Sequence, residues 1–167
     1  MPHTQNAKFR KLLAEFETAV LITHGGEDAF RARPMAIARV DENCDLWFIT
    51  GRDSAKAHEI ELDTWVQVIC QKGWSSCVCI SGYASLDSDR AKIEELWNPA
   101  LKVWFPQGVD DPEIVLIRVV GELGEYWDNT GMNRITYAYR AIKALMTGTA
   151  LEVKEGDQHG RMRLVKS

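Results

Sequence analysis

Ser75-Ser76-Cys77-Val78-Cys79-Ile80-Ser81-Gly82-Tyr83-Ala84-Ser85-Leu86 decides how this chain folds. It reads as one long strand, with Gly82 as a bulge or bend. Before it, Trp65–Gln71 is β-branched and apolar, a second strand. After it, Ile114–Trp127 is another long strand, in which Gly121 and Gly124 let the chain curl. Toward the N-terminus, Ala19–Thr23 is a short apolar run, and Phe30–Val40 and Leu46–Thr50 are extended. The turn Gly25-Gly26-Glu27-Asp28 and the polar segment Asp41–Asp45 separate these three. Two hairpins in series make an antiparallel meander. The expectation is a mainly β, α+β fold: a six-stranded antiparallel β-barrel with peripheral helices, which closes its own edges.

The helices fill the gaps between strands. Phe9, Leu12, Leu13 and Phe16 stand at i, i+3, i+4 and i+7, the stripe of an amphipathic helix. Asp53 or Ser54 caps a short helix that runs to Leu62. Asp87-Ser88-Asp89 opens another, with Ile93, Leu96 and Trp97 on one face, and Pro99 and Pro106 punctuate the segment after it. Ile135, Ala138, Tyr139, Ile142 and Leu145 mark a tail helix. After Thr147 the chain turns polar and is expected to be loosely ordered. Residues 1–150 read as one domain and residues 151–167 as a polar tail.

Composition narrows the function classes. A chain that is 46% hydrophobic and 26% charged is ordinary for a globular protein. A net charge of −4 argues against sequence-independent binding of nucleic acid, which needs a basic face. A local pair of cations still suffices for a small anion. The N-terminus is polar, and no window approaches a membrane span, so a cytoplasmic protein is expected. There Cys44, Cys70, Cys77 and Cys79 would stay thiols. Cys77 and Cys79 share one side of a strand but lack a partner pair at zinc-ligand spacing. His3, His24, His58 and His159 are scattered, so no metal site is expected.

Two segments carry chemistry. In Arg31-Ala32-Arg33-Pro34-Met35, strand alternation puts Arg31, Arg33, Met35 and Ile37 on one face, half anion-binding and half apolar. Pro34 has no N–H to donate, which places the stretch at an edge or a bulge. Backbone groups left free there could bond a planar heterocycle; the alternative is a solvated arginine pair. In Thr50-Gly51-Arg52-Asp53-Ser54-Ala55-Lys56, hydroxyls, an ammonium and a helix N-terminus come together. That set suits a phosphate monoester of about −1.5 to −2 charge, balanced by Arg33 and Lys56. The alternative is a capped helix with Lys56 in water. The glycine spacing of a P-loop is absent.

These segments, in this order, resemble the FMN-binding split-barrel superfamily that includes pyridoxamine 5′-phosphate oxidase, and most closely its general stress protein branch. Further carriers are Leu46-Trp47-Phe48-Ile49-Thr50, Ile80-Ser81-Gly82-Tyr83-Ala84, Leu96-Trp97, Lys102-Val103-Trp104-Phe105-Pro106 and Glu125-Tyr126-Trp127. The resemblance implies a homodimer with FMN, or FAD, at its interface. It implies that Arg33 and Lys56 clamp the phosphate, with Thr50 and Ser54 adding hydrogen bonds. Pro34, Met35 and Ile49 would border the flavin. Cys77 would stand where the oxidase branch places a glutamine, and Trp127 would reach the flavin of the other subunit.

One departure bears on activity. The oxidase branch has, after its tryptophan, an arginine-x-histidine-aspartate-arginine run, whereas here Trp127 precedes Asp128-Asn129-Thr130-Gly131-Met132-Asn133-Arg134. Arg134 lies near the right place, but the histidine and second arginine are missing. No pyridoxamine oxidase activity is expected. The resemblance implies one of two functions: a flavin-dependent oxidoreductase, or a non-catalytic flavin-binding stress-response protein.

Overall fold

The computed structural model describes residues 2–26, 29–129, 134–148 and 158–164. Residues 130–133, which the departure after Trp127 involves, lie outside them. One antiparallel sheet organises the fold. Its strands are β1 (Thr18–His24), β2 (Phe30–Ala36), β3 (Arg39–Val40), β4 (Leu46–Gly51), β5 (Trp65–Lys72), β6 (Ser76–Asp87), β7 (Ile114–Asp128) and β8 (His159–Arg163). The order across the sheet is β2-β1-β5-β6-β7-β4-β3, with β8 paired to β7.

The architecture is the expected one, a curled antiparallel sheet with peripheral helices, but the strand count differs. Eight strands are present among the described residues where six were expected. The first difference is that Phe30–Val40 is two strands. Phe30–Ala36 pairs with β1, and Arg39–Val40 pairs with β4 at the opposite end of the sheet. At the corner between them, the Ile37 N–H donates to the Glu17 carbonyl at 2.9 Å and the Ala38 N–H to the Trp47 carbonyl at 2.8 Å. The backbone changes partner there, so one extended run joins both edges of the sheet. β2 approaches β4 across this opening without pairing to it, which is the split of the barrel.

The second difference is β8. The chain after Thr147 is not loosely ordered throughout, because His159–Arg163 pairs with Leu123–Trp127. Met162 and Leu164 are buried, so two apolar side chains in a polar tail dock the strand on the core. A close approach helps: a Cβ on Gly160 would meet the Tyr126 ring at 2.6 Å.

Gly82 is required by the bulge expected there. The β6–β7 register shifts between Ser81 and Gly82, and a Cβ on Gly82 would stand 2.1 Å from the Val120 carbonyl oxygen. On β7 the extra residue is Glu122, whose carbonyl accepts from the Leu164 N–H at 2.9 Å. The bulge and β8 thus satisfy each other.

Two cores hold the layers together. Inside the curl, Leu21, Phe48, Val68, Val78, Ile80, Ile117, Val119 and Tyr126 pack with Phe9, Leu12, Leu13 and Phe16, which helix α1 (Pro2–Leu13) and the turn after it contribute. Outside it, Trp47, Ile114 and Leu116 pack against Ile93 and Leu96 of helix α3 (Arg90–Leu96), which Asp89 caps as expected. Each fully buried large apolar side chain contributes about 1.5–3 kcal/mol relative to exposure. Helix α4 (Arg134–Thr147) forms where its stripe predicts, and it leaves Tyr139, Ile142 and Leu145 exposed. No helix among the described residues is long and apolar enough to cross a membrane.

Candidate functional site

A cleft of about 920 Å³ opens at the split, between β2 with its following corner and the end of β4. Pro34, Met35, Ala36, Ile37 and Ala38 form one wall, and Ile49, Thr50 and Gly51 the other. β2 is an edge strand, as Pro34 foretold, because its only partner among the described residues is β1. The third wall is aromatic: Trp97, Trp104 and Phe105, from the end of α3 and the 3-10 turn Pro99–Val103. Trp97 and Phe105 meet edge to face at 6.3 Å, while Trp104 is 77% exposed at the mouth.

One end of the cleft is polar. Helix α2 (Ala55–Leu62) begins there, N-capped by Ser54, whose Oγ accepts weakly from the Ala57 N–H at 3.4 Å. Thr50 Oγ1 lies 3.2 Å from Ser54 Oγ, so the two hydroxyls form a pair. Lys56 also lines the cleft and is the only ionisable side chain that does so among the described residues. Burial, and then the charge of Arg33, push the Lys56 ammonium below its usual range, while Glu59 opposes them.

Arg33 sits behind this end, next to Pro34, close enough for its charge to act on Lys56. Its Nη1 donates to Thr23 Oγ1 at 2.7 Å and its Nη2 to Glu59 Oε2 at 2.7 Å. Arg31, on the same face of β2, donates through Nη1 to Glu59 Oε1 at 3.2 Å. Burial pushes the Glu59 carboxyl up. The hydrogen bonds from Thr23 and Arg33 and the charges of Arg33 and Arg31 outweigh it and hold the group below the usual carboxylate range.

The cleft therefore brings together Pro34, Met35, Ile49, Thr50, Ser54 and Lys56, with Arg33 adjoining. It does not bring in Cys77 or Trp127, which face each other across the β6–β7 ladder. Trp127 is 37% exposed, stacks on the His159 ring at 5.1 Å, and belongs to the open face of the sheet. Cys77 hydrogen-bonds to Cys79, and burial, helped by Cys77 and Glu125, pushes the Cys79 thiol up to about 12. All four cysteines are free. A thiol that titrates so high is a poor nucleophile at neutral pH. Among the described residues, no group of three or more His, Cys, Asp or Glu is placed to hold a metal ion.

Sequence reading missed Glu59, Thr23, Trp97 and Phe105 as parts of one site. Glu59 had a signal: it stands at i+3 from Lys56, which puts both on one face of α2. Thr23 had none, since only strand pairing brings it to Arg33.

Comparison with known proteins shows the family and the fold. Residues 4–152 match the family model described as "Pyridoxamine 5′-phosphate oxidase like", and the chain belongs to that family. A general stress family protein from Xanthomonas campestris pv. campestris is 32% identical, covering 77% of this chain and 90% of its own, with a TM-score of 0.60. General stress protein 26 from Bacillus anthracis str. Sterne is 26% identical, covering 72% of this chain and 92% of its own, with a TM-score of 0.66. A general stress protein 26 from Jannaschia sp. CCS1 has a TM-score of 0.72 over 98% of this chain and 99% of its own, at 20% identity, and shows the shared fold. Protein bli-3 of Neurospora crassa is 31% identical over 101 residues, 53% of this chain. The matched part is 47% of that relative, so the chain spans about half its length.

Proposed function

We propose that this chain is a flavin-binding protein that holds FMN in the cleft between β2 and β4. One observation carries the reading. A single cleft has hydroxyls, an ammonium and a helix N-terminus at one end, and apolar and aromatic walls along the rest. The donor set fits a phosphate monoester: Thr50, Ser54 and Lys56 offer hydrogen bonds directly, and Arg33 supplies a second full positive charge. Met35, Ile49, Trp97 and Trp104 suit a flat, largely apolar ring.

When bound, FMN supplies hydride and single-electron chemistry of its own. The chain's residues bind and orient it. With Lys56 the only ionisable lining group among the described residues, the site supplies position and charge, and no side chain is assigned as acid or base. A non-catalytic flavin-binding role stands beside a redox one on that same observation.

The site as proposed is shared between two copies. Trp127 cannot serve the cleft of its own chain from the open sheet face. That face also exposes Val20, Trp65, Tyr83 and Leu123, an apolar surface suited to a second copy. On this reading Trp127 and Cys77 reach the flavin of the partner, in a homodimer. The protein is proposed to act without nucleic acid or membrane and in the cytoplasm.

The test is direct. Purified protein should be yellow, with absorbance at about 450 nm, a general property of bound flavins. Titration of the apoprotein with FMN and FAD then ranks the two, and NADH or NADPH as reductant separates the redox role from storage. Apoprotein that takes up neither flavin would sink the proposal.

A further inference from the structure

We propose that Glu59 is the positioning residue of the anion end of this cleft: it fixes Arg33 beside Lys56 and trims the local charge to match a doubly charged phosphate monoester. This role rests on the flavin reading and adds to it the residue that orders the phosphate end of the site.

Glu59 is 5% exposed, on the inner face of α2. A carboxylate so placed is costly unless paired and hydrogen-bonded. Its partners are three: Thr23 Oγ1 donates to Oε2 at 2.5 Å, Arg33 Nη2 to Oε2 at 2.7 Å, and Arg31 Nη1 to Oε1 at 3.2 Å. Thr23 Oγ1 in turn accepts from Arg33 Nη1 at 2.7 Å, which closes a ring of Arg33, Thr23 and Glu59. Both arms of the Arg33 fork are anchored, so the guanidinium plane is fixed. Guanidinium has five N–H donors, and two are used here. No other side chain among the described residues takes the remaining three.

A purely structural ion pair would be neutral, and this cluster is not. Arg31, Arg33 and Lys56 carry three positive charges against one negative charge on Glu59, an excess of two. Arg33 and Lys56 are partly buried, and Arg33 already disfavours the Lys56 ammonium there, while Arg31 is more exposed and its charge is partly screened by water. A phosphate monoester, at about −1.5 to −2 near neutral pH, cancels it.

The sign of the expected effect is unusual. Removing a negative charge from an anion site should tighten binding by Coulomb attraction alone. If Glu59 acts by holding Arg33, its removal must instead weaken binding. Glu59→Gln keeps the shape and removes the charge. The experiment titrates full-length apoprotein, wild type and variant, with FMN and with riboflavin, which has the same ring and no phosphate. The expected result is FMN affinity about tenfold lower in Glu59→Gln, the worth of roughly one disordered charge-assisted hydrogen bond, with riboflavin affinity unchanged. In an Arg33→Ala background, Glu59→Gln should then change FMN affinity by less than about twofold, because the route through Arg33 is gone. Thr23→Val removes the hydroxyl shared by Glu59 and Arg33; it is the second variant should Glu59→Gln fail to fold, with the same FMN-only loss expected. Unchanged or tighter FMN binding in Glu59→Gln, or an equal loss for riboflavin, overturns the role of Glu59 alone. Wild-type protein that binds neither compound overturns the flavin reading and the Glu59 role with it.

Discussion

Arg33 Nη2 lies 2.7 Å from Glu59 Oε2, and this one contact ties the edge strand β2 to helix α2 across 26 positions of sequence. Both elements border the cleft, so the contact sets the distance between its apolar wall and its polar end. Among the described residues β2 pairs with β1 alone. The ion pair therefore adds an attachment for the edge strand beyond its ladder with β1.

Arg33→Ala and Lys56→Ala should each weaken FMN by about 10- to 100-fold, since a charge-assisted hydrogen bond is worth about 1.5–3 kcal/mol. Riboflavin should respond to neither. Calorimetric titration of the apoprotein checks both, and equal losses for the two ligands would mean that the phosphate is placed wrongly.

FMN affinity should fall on the alkaline side, and earlier than an ordinary lysine allows. Burial and Arg33 disfavour the Lys56 ammonium in the free protein. A Lys56 that has lost its proton must regain it to grip a dianion, so binding weakens as pH rises through the depressed value. Lys56→Arg keeps its charge throughout and should flatten that limb. Titrations between roughly pH 7 and 10 decide it. Wild-type and Arg profiles of the same slope would refute the assignment.

Glu59 should make stability depend on acid. Its folded pKa is held below the unfolded one, so its contribution is complete above the unfolded value, about 4.3. The contribution is lost as pH falls through the folded value. Urea unfolding at neutral and acid pH should show the wild type losing more stability than Glu59→Gln; parallel losses would count against the ion-pair cluster.

Gly82→Ala should cost about 3 kcal/mol or more, the upper range for overpacking. The new Cβ would stand 2.1 Å from the Val120 carbonyl oxygen, and that neighbour is backbone in a bulge. Urea midpoints measure the loss, and a near-neutral variant would contradict the bulge.

The chain should elute from a sizing column as twice its 18.9 kDa mass. Leu123→Asp places a charge on the open sheet face that also carries Trp127 and should give a monomer that also binds FMN more weakly. A wild-type monomer at micromolar concentration would defeat the shared site.

Much of the fold was legible because it is written in short-range patterns. Strand alternation, the Ser54 and Asp89 caps, the Gly82 bulge and the α1 stripe each depend on residues within one element. Arg33-Pro34-Met35 and Thr50 to Lys56 were legible for the same reason. The division of Phe30–Val40 was not, because its cause is a change of pairing partner at Ile37 and Ala38. Nor was β8, whose two apolar side chains, Met162 and Leu164, form no pattern until a core exists to receive them.

By itself the sequence determined most of the element types, the chemistry available on each, and the family. Tertiary structure alone decided which of those groups meet. Thr23, Arg33 and Glu59 share no element, and no local period links them. Sheet closure and the docking of α2 bring them together, and hydrogen-bond energy depends on the resulting angles and ångströms, which no spacing along the chain encodes.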